Sequence, residues 1–351
     1  MARFVKRGKT WQYEISYKRD DGTFDKFRRG GFRTKKEAES AALEMELEIN
    51  RGYNPRKQEM LFSTYFKNWM ELYKKPSVSP VTYLKYLTTH SIIETYMPFE
   101  SISTISREKY QSFLNEYAMT HAKGTVKRLH THIRACFRNA LDDRIILTDP
   151  TAKAVISGNV DPKPSSEKYI DYAHLKQLMQ FTPTHSSHYI ILIAAYTGAR
   201  FGEILGLNWT DIDEINKTLT INKTWQYKLN PPTYGPTKNH EERTIVISDK
   251  LIDMLNSLPK ENEKIISTPI TSTAVNKSLK RVLKQLGISP LITLHGLRHS
   301  HASALLYQGI NILSVSERLG HKDVSVTQDT YSHIVKELRM KDKQQLIEFL
   351  S

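Results

Sequence analysis

The chain has 351 residues, with 51 lysines and arginines against 37 aspartates and glutamates, a formal charge of +14. That length predicts two or three domains with at least one sizeable core, and a charged fraction of 25% excludes a disordered polyelectrolyte. A single cysteine, Cys136, excludes a disulfide framework and a thiolate-rich zinc module. The N-terminus passes from basic residues into a mixed polar pattern without the apolar core of a signal peptide. The longest strongly apolar stretch, Tyr189 to Tyr196, is far short of the ~20 residues that span a bilayer. A soluble protein of a reducing, cytoplasmic compartment is therefore expected. The net charge is +5 over residues 1–60, +5 over 61–163 and +4 over 164–351, so no part is acidic. Charge spread this way suits contact with a long polyanion better than one sticky tail.

In chain order, Trp11, Tyr13, Ile15 and Tyr17 alternate with polar residues, the period of a half-buried strand. Asp20-Asp21-Gly22 supplies a turn, Thr23 to Arg29 reads as the returning strand, and Phe32-Arg33 could begin a short third one. Thr34 and Glu37 form a capping-box pattern that opens a helix through about Ile49. The exposed face of this small sheet would carry Lys18, Arg19, Lys26, Arg28 and Arg29. Residues 61–148 hold four helical patterns and no good strand, a compact unit of four or five helices. Its last helix shows Lys127, Arg128, Arg134 and Arg138 between apolar Val126, Leu129, Ile133 and Phe137. From Asp149-Pro150 to Lys168 the text has no period and reads as a linker. The rest is mixed: helices are expected at 171–181, 186–207, 249–257, 271–286, 296–308 and 312–319, with strands near 218–225 and 243–247.

Four places in this last region carry chemistry. Arg200 enters an apolar helix after a glycine turn, in TGARFGEI; alone, it reads as a snorkelling arginine paired with Glu203. Lys238 sits in a proline-bounded hairpin tip, where a lysine is ordinarily just solvated. His295 and Arg298, in LHGLRHSHAS, lie three apart at a helix start and can converge on one point. His295 and His299 also have zinc-ligand spacing, but the residues between them lack the glutamate of a zinc protease helix, and a guanidinium there disfavours a metal ion. Leu319-Gly320-His321 is followed by Tyr331.

Together these residues can surround a phosphodiester. Two planar guanidiniums grip the non-bridging oxygens as negative charge builds on them. A flexible lysine can protonate the leaving 5′ oxygen, and the tyrosine is a nucleophile that must lose its proton as it attacks. Such a design needs no metal and no cofactor.

Arg200, Lys238, His295-x-x-Arg298, LGH ending at His321, and Tyr331 match the tyrosine recombinases in order and approximate spacing. The chain most resembles integrases of temperate phages and integrative elements of Gram-positive bacteria, over essentially its whole length. The resemblance implies a multidomain α+β fold. Residues 1–58 would be an arm-type DNA-binding domain, a small three-stranded sheet plus a helix. An all-α core-binding domain would occupy 61–150 and a linker 151–168. A mixed, mainly helical catalytic domain at 169–340 and a C-terminal tail at 341–351 would complete it. Tyr331 would form a 3′-phosphotyrosyl link, Arg200 and Arg298 would hold the phosphate, and Lys238 would protonate the 5′ oxygen. His295 would be the acid/base near the nucleophile, and His321 would hydrogen-bond the phosphate. Glu203 would orient Arg200 from behind, while His299 and His301 fall outside the usual set and read as structural. The implied partners are double-stranded DNA with core- and arm-type sites and a homotetramer on that DNA, with no membrane. An excisionase and a host DNA-bending protein stay open as accessory partners. A chromosome-dimer resolvase or transposon recombinase of the same chemistry, and a non-catalytic DNA-binding regulator on the same fold, are the alternatives. The resolvase normally lacks the basic sheet-plus-helix domain, and the regulator predicts the loss of Arg200, Arg298 or Tyr331.

Overall fold

Alternating side chains close the first sheet onto one helix. The computed structural model describes residues 2–18, 22–53, 59–161, 164, 167–238 and 241–331. It divides into two compact units, Met1–Pro162 and Lys163–Ser351. In the first, β2 (Thr10–Lys18) pairs antiparallel with β1 (Arg3–Arg7) and β3 (Phe24–Phe32). Side chains two apart share a face, so Tyr13 and Ile15 both turn inward onto Ala42 and Met45 of α1 (Lys35–Asn50). Thr34 caps α1 by accepting from the Glu37 N–H at 3.1 Å, and the Glu37 carboxylate reaches back to the N–H of Arg33 at 3.0 Å. The strand expected at Phe32–Arg33 is the end of β3, carried past Gly30 by a register shift opposite Trp11 and Gln12. The sheet's remaining strand is β1, whose RFVKR text shows no alternation to announce it.

The same period corrects the expected basic face. Glu14 is paired with Arg28 and Ser16 with Lys26 on the open side of the sheet, which Lys18 shares, whereas Arg29 lies opposite Tyr13 on the helix side. Odd and even positions of one strand cannot point the same way. Glu14 binds Lys26 at 2.9 Å and Arg28 at 2.6 Å, and these two partners hold its carboxyl down to about 2. Arg19 lies outside the described residues.

The helices that follow are α2 (Phe62–Trp69), continued by a π turn at Met70–Lys74, α3 (Pro80–Tyr96), α4 (Arg107–Ala118) and α5 (Lys123–Asp142). Ser79 and Ser106 cap α3 and α4. Their aromatic stripes meet in one core, where Phe62 stacks on Phe137 and the Phe66 ring lies tilted against Trp69. Each such ring, fully buried, stabilises the unit by roughly 1.5–3 kcal/mol. Lys127 and Arg128 are exposed on α5, while Arg134 is half-buried. The stretch read as linker begins by lying on the bundle. The Gln111 side chain accepts from Val155 N–H at 2.8 Å and donates to its carbonyl at 3.0 Å, and Asn159 N–H donates to Ala118 O at 3.0 Å. Gly158 packs so tightly on Lys123 that a Cβ there would sit 2.1 Å from the Lys123 nitrogen. Main-chain docking of this kind leaves no period in the sequence.

The second unit holds α6 (Tyr172–Leu178), α7 (Ser186–Thr197), α8 (Phe201–Leu205), α9 (Asp249–Asn256), α10 (Ser272–Gln285), α11 (Leu294–Tyr307), α12 (Ile312–Leu319) and α13 (Val324–Thr330). Short strands β4 (Ile212–Asp213), β5 (Thr218–Ile221) and β8 (Arg243–Val246) form one antiparallel sheet in the order β4-β5-β8. Strands β6 (Lys223–Gln226) and β7 (Thr233–Pro236) form a hairpin beside it. The apolar α7 is buried among these elements. Three expectations change here. The helix expected over 186–207 breaks at Gly198, whose φ of +68° ends α7. Lys238 lies beyond β7, not at the hairpin tip, which spans 227–232. Helix α13, short and polar, was not expected. Among the described residues no helix is long and apolar enough to cross a membrane. The tail 341–351 lies outside the described residues.

Candidate active site

Three helix ends converge on one arginine. Arg298, 3% exposed on the first turns of α11, donates to Gly198 O at 2.8 Å and to Leu319 O at 2.5 Å. These carbonyls close the C-terminal ends of α7 and α12, where the helix dipole favours a cation. A buried guanidinium left without such acceptors would cost several kcal/mol. Burial, with the nearby Arg200, lowers its pKa to about 9, so it stays cationic near neutral pH. Gly198 then turns the chain in the left-handed region, and a Cβ there would meet His301 Cδ2 at 2.9 Å. That turn delivers Arg200 to the start of α8. Gly320 makes the matching turn after α12 and delivers His321.

Glu203 organises the arginines from behind. Its carboxylate, 2% exposed, accepts from Arg200 Nη1 at 2.8 Å, from the Arg200 N–H at 2.9 Å and from Arg243 Nη2 at 2.6 Å. Burial raises its pKa, but Arg243 and Arg200 outweigh burial and hold it below the usual carboxylate range. Arg243 in turn donates through Nε to Arg318 O at 2.8 Å. The sequence marked Arg243 only as the start of a strand, and nothing in its spacing to Glu203 announces the pair.

A cavity of about 340 Å³ opens in front of these groups, lined by Arg200, Lys238, His295, Arg298, His299, His321, Lys322 and Tyr331, among others, and, among the described residues, by no carboxylate. All six residues singled out for chemistry are thus brought together. Tyr331 is 2% exposed, its ring packed with Ala302, Leu306, Val315 and Leu319 while its hydroxyl reaches Nδ1 of His299 at 2.9 Å. Burial raises its pKa above that of a free phenol, against the lowering pull of Arg298. Burial likewise lowers the pKa of His295, helped by Arg298, Arg200 and Lys238, and takes His299 and His321 each down to about 4. His321 is oriented by Thr327 of α13, 2.7 Å from its Nδ1. At neutral pH the cavity therefore holds two guanidiniums, lysines, neutral imidazoles and a neutral phenol. That arrangement accepts an anion and offers it a nucleophile.

Two histidines separate that were read alike as structural. His301 is buried against Ala195 O at 2.9 Å and accepts from Arg318 Nε at 3.0 Å, a purely internal pairing. His299 instead faces Tyr331. The signal for it was present as the i, i+4 spacing with His295, which suggests a metal site rather than a shared cavity.

Residues 168–337 match the phage integrase family, 3–49 an arm DNA-binding domain and 61–156 a phage integrase SAM-like domain. The chain belongs to the phage integrase family of tyrosine recombinases. Within this family it is 27% identical to a tyrosine recombinase XerC-like protein of Caldanaerobacter subterraneus subsp. tengcongensis, covering 95% of this chain and 94% of that one. It is 25% identical to the integrase of Staphylococcus phage L54a, over 85% of this chain and 96% of the relative. Its fold resembles that of the Tn1549 transposon integrase, solved with a circular intermediate DNA. The TM-score is 0.64 at 16% identity, covering 78% of this chain and 95% of that one. As in that integrase, helices outnumber small antiparallel sheets, the multidomain α+β class expected for a tyrosine recombinase.

Proposed function

We propose that this chain is a site-specific DNA recombinase, the integrase of a mobile element, which cuts and rejoins DNA through a 3′-phosphotyrosyl link at Tyr331. The observation that carries this reading is the cavity lined by Tyr331, two arginines, two lysines and imidazoles and, among the described residues, by no carboxylate. Arg200 and Arg298 hold the non-bridging oxygens of the scissile phosphate, on which charge accumulates as Tyr331 Oη attacks. The Oη–P bond forms and the P–O5′ bond breaks; the phenolic proton passes to an imidazole, and Lys238 gives a proton to the departing 5′ oxygen. The resemblance casts His295 as an acid/base beside the nucleophile and His321 as a hydrogen-bond partner of the phosphate. Bond energy is retained in the tyrosyl ester, so a partner strand's 5′ hydroxyl reseals it without ATP. Lys238 is favoured over its neighbours by their engagement: Lys223 Nζ lies 2.6 Å from both Asp211 carboxylate oxygens, and Lys228 sits over the Tyr227 ring at 5.8 Å.

Exchange between two duplexes requires a cut on each strand, hence four protomers and a Holliday-junction intermediate. The substrate is double-stranded DNA, with arm sites for the domain at 1–58 and core sites clamped by those at 61–150 and 169–340. Lys18, Arg19, Lys26 and Arg28 would face the arm site, and Lys127, Arg128 and Arg134 the core site. The recombinase would act in the cytoplasm, with an excisionase and a DNA-bending host protein as accessories. The match of residues 3–49 to an arm DNA-binding domain supports an integrase over a chromosome-dimer resolvase. The presence of Arg200, Arg298 and Tyr331 in one cavity argues against a non-catalytic regulator. The test is Tyr331→Phe on a nicked duplex carrying the core site from the DNA flanking the gene. The variant should bind the duplex and form no covalent adduct; an adduct would reject Tyr331 as nucleophile.

A further inference from the structure

The resemblance gives His299 no role, yet among the described residues the hydrogen bond of the Tyr331 hydroxyl is made to this side chain, at 2.9 Å from its Nδ1. His295, one turn earlier on α11, stands edge-on to the His299 ring at 4.8 Å between centroids. The pair is held in place from both ends. Arg298, next to His299 in the chain, is tied to two helix-terminal carbonyls, and Ser300 Oγ accepts from the Ile170 N–H at 2.9 Å. The phenol is fixed as well, because its ring is buried among side chains of α11 and α12. Two reacting groups held at hydrogen-bond distance by rigid surroundings are set for proton transfer.

We propose that His299 is the base of the cleavage step, taking the proton of the Tyr331 hydroxyl on Nδ1 as the phenol attacks and returning it when the strand is resealed. The inference rests on Tyr331 being the nucleophile. In the step, the Oη–H bond breaks as the Oη–P bond forms, the proton moves to Nδ1 of a His299 that carries its other proton on Nε2, and the P–O5′ bond breaks with a proton from Lys238. Resealing reverses each transfer, so nothing is consumed.

The electrostatics make this base conditional on DNA. Burial, with the neighbouring His295, Arg298 and Lys168, keeps the His299 imidazole neutral and weakly basic. The same burial keeps Tyr331 protonated. A phosphodiester entering beside Arg200 and Arg298 brings a negative charge, which offsets those cations and strengthens the imidazole as an acceptor. The nucleophile is therefore ionised only when a phosphate is present to receive it.

The experiment measures single-turnover cleavage by the full chain on the nicked core-site duplex, with normal and 5′-bridging phosphorothiolate linkages. A sulfur leaving group needs no protonation, so a defect on the acid side is rescued by it and a defect on the base side is not. His299→Ala should bind DNA normally, cleave about a hundredfold more slowly, and stay slow on the phosphorothiolate, whereas Lys238→Ala should be rescued. His299→Asn restores an acceptor near the Nδ1 position without basicity; it should remain slow and gain rate steadily as pH rises. Wild-type cleavage by either His299 variant, or rescue of His299→Ala by sulfur, would overturn the proposal. Tyr331→Phe run alongside separates the two readings: an adduct there rejects the nucleophile itself, while its absence beside a fully active His299→Ala rejects only the base.

Discussion

Arg243 Nη2 lies 2.6 Å from Oε2 of Glu203, and both side chains are almost entirely buried. This pair stands behind Arg200 and fixes the carboxylate against which that arginine rests. Glu203→Ala leaves Arg243 buried without its partner, a loss of about 3–5 kcal/mol. Glu203→Gln keeps the shape and some hydrogen bonds and should cost less. Denaturant unfolding of the two variants, compared with their cleavage rates, checks this. Equal stability of Glu203→Ala and wild type would show that the carboxylate is not needed to hold Arg243.

Acid should weaken the second unit in two stages. His299, His301 and His321 have folded pKa values lowered to about 4, about 3 and about 4, chiefly by burial. An imidazole buried neutral binds its proton more readily in the unfolded chain. Stability from these residues is thus complete above an unfolded value of about 6.5 and declines as pH falls toward 4. Glu203, also lowered, adds to the decline below about 4.3, the ordinary glutamate value. Urea midpoints between pH 7 and 4 should fall steadily for the wild type and more gently for His301→Asn. A flat wild-type profile would contradict neutral burial of these rings.

On the arm sheet, Glu14 pairs with both Lys26 and Arg28, so Glu14→Gln should free both cations of their shared partner on the open face. Non-specific DNA affinity should rise at low salt, and the plot of log affinity against log salt should steepen by up to about 2. Arg29→Ala, on the opposite face beside Tyr13, should leave that slope unchanged. Fluorescence anisotropy across a salt series distinguishes these outcomes. A slope reduced equally by Arg29→Ala and Arg28→Ala would place Arg29 on the DNA side.

Much of this molecule was legible in its sequence because the signals are local. Period-2 alternation placed β2, helical stripes placed α2 to α5, and Thr34, with its glutamate three residues on, placed the start of α1. Arg200, Lys238, His295, Arg298, His321 and Tyr331 stand out together by their match, in order and approximate spacing, to the tyrosine recombinases, each being unremarkable alone. Other features depend on which distant segments meet. The glycine turn before Arg200 was legible, but not that the Arg298 side chain, 100 residues away, takes the Gly198 carbonyl. Arg243 reads as a strand start until Glu203 is seen beneath it. His299 reads as structural until Tyr331, 32 residues on, is seen to point at it. The sequence by itself pointed to the family and to six residues that line one cavity, through residue type, order and resemblance. Only the tertiary structure decided which groups face one another, because hydrogen bonds between separate helices depend on distance and direction, and neither is written in the spacing of residues along the chain.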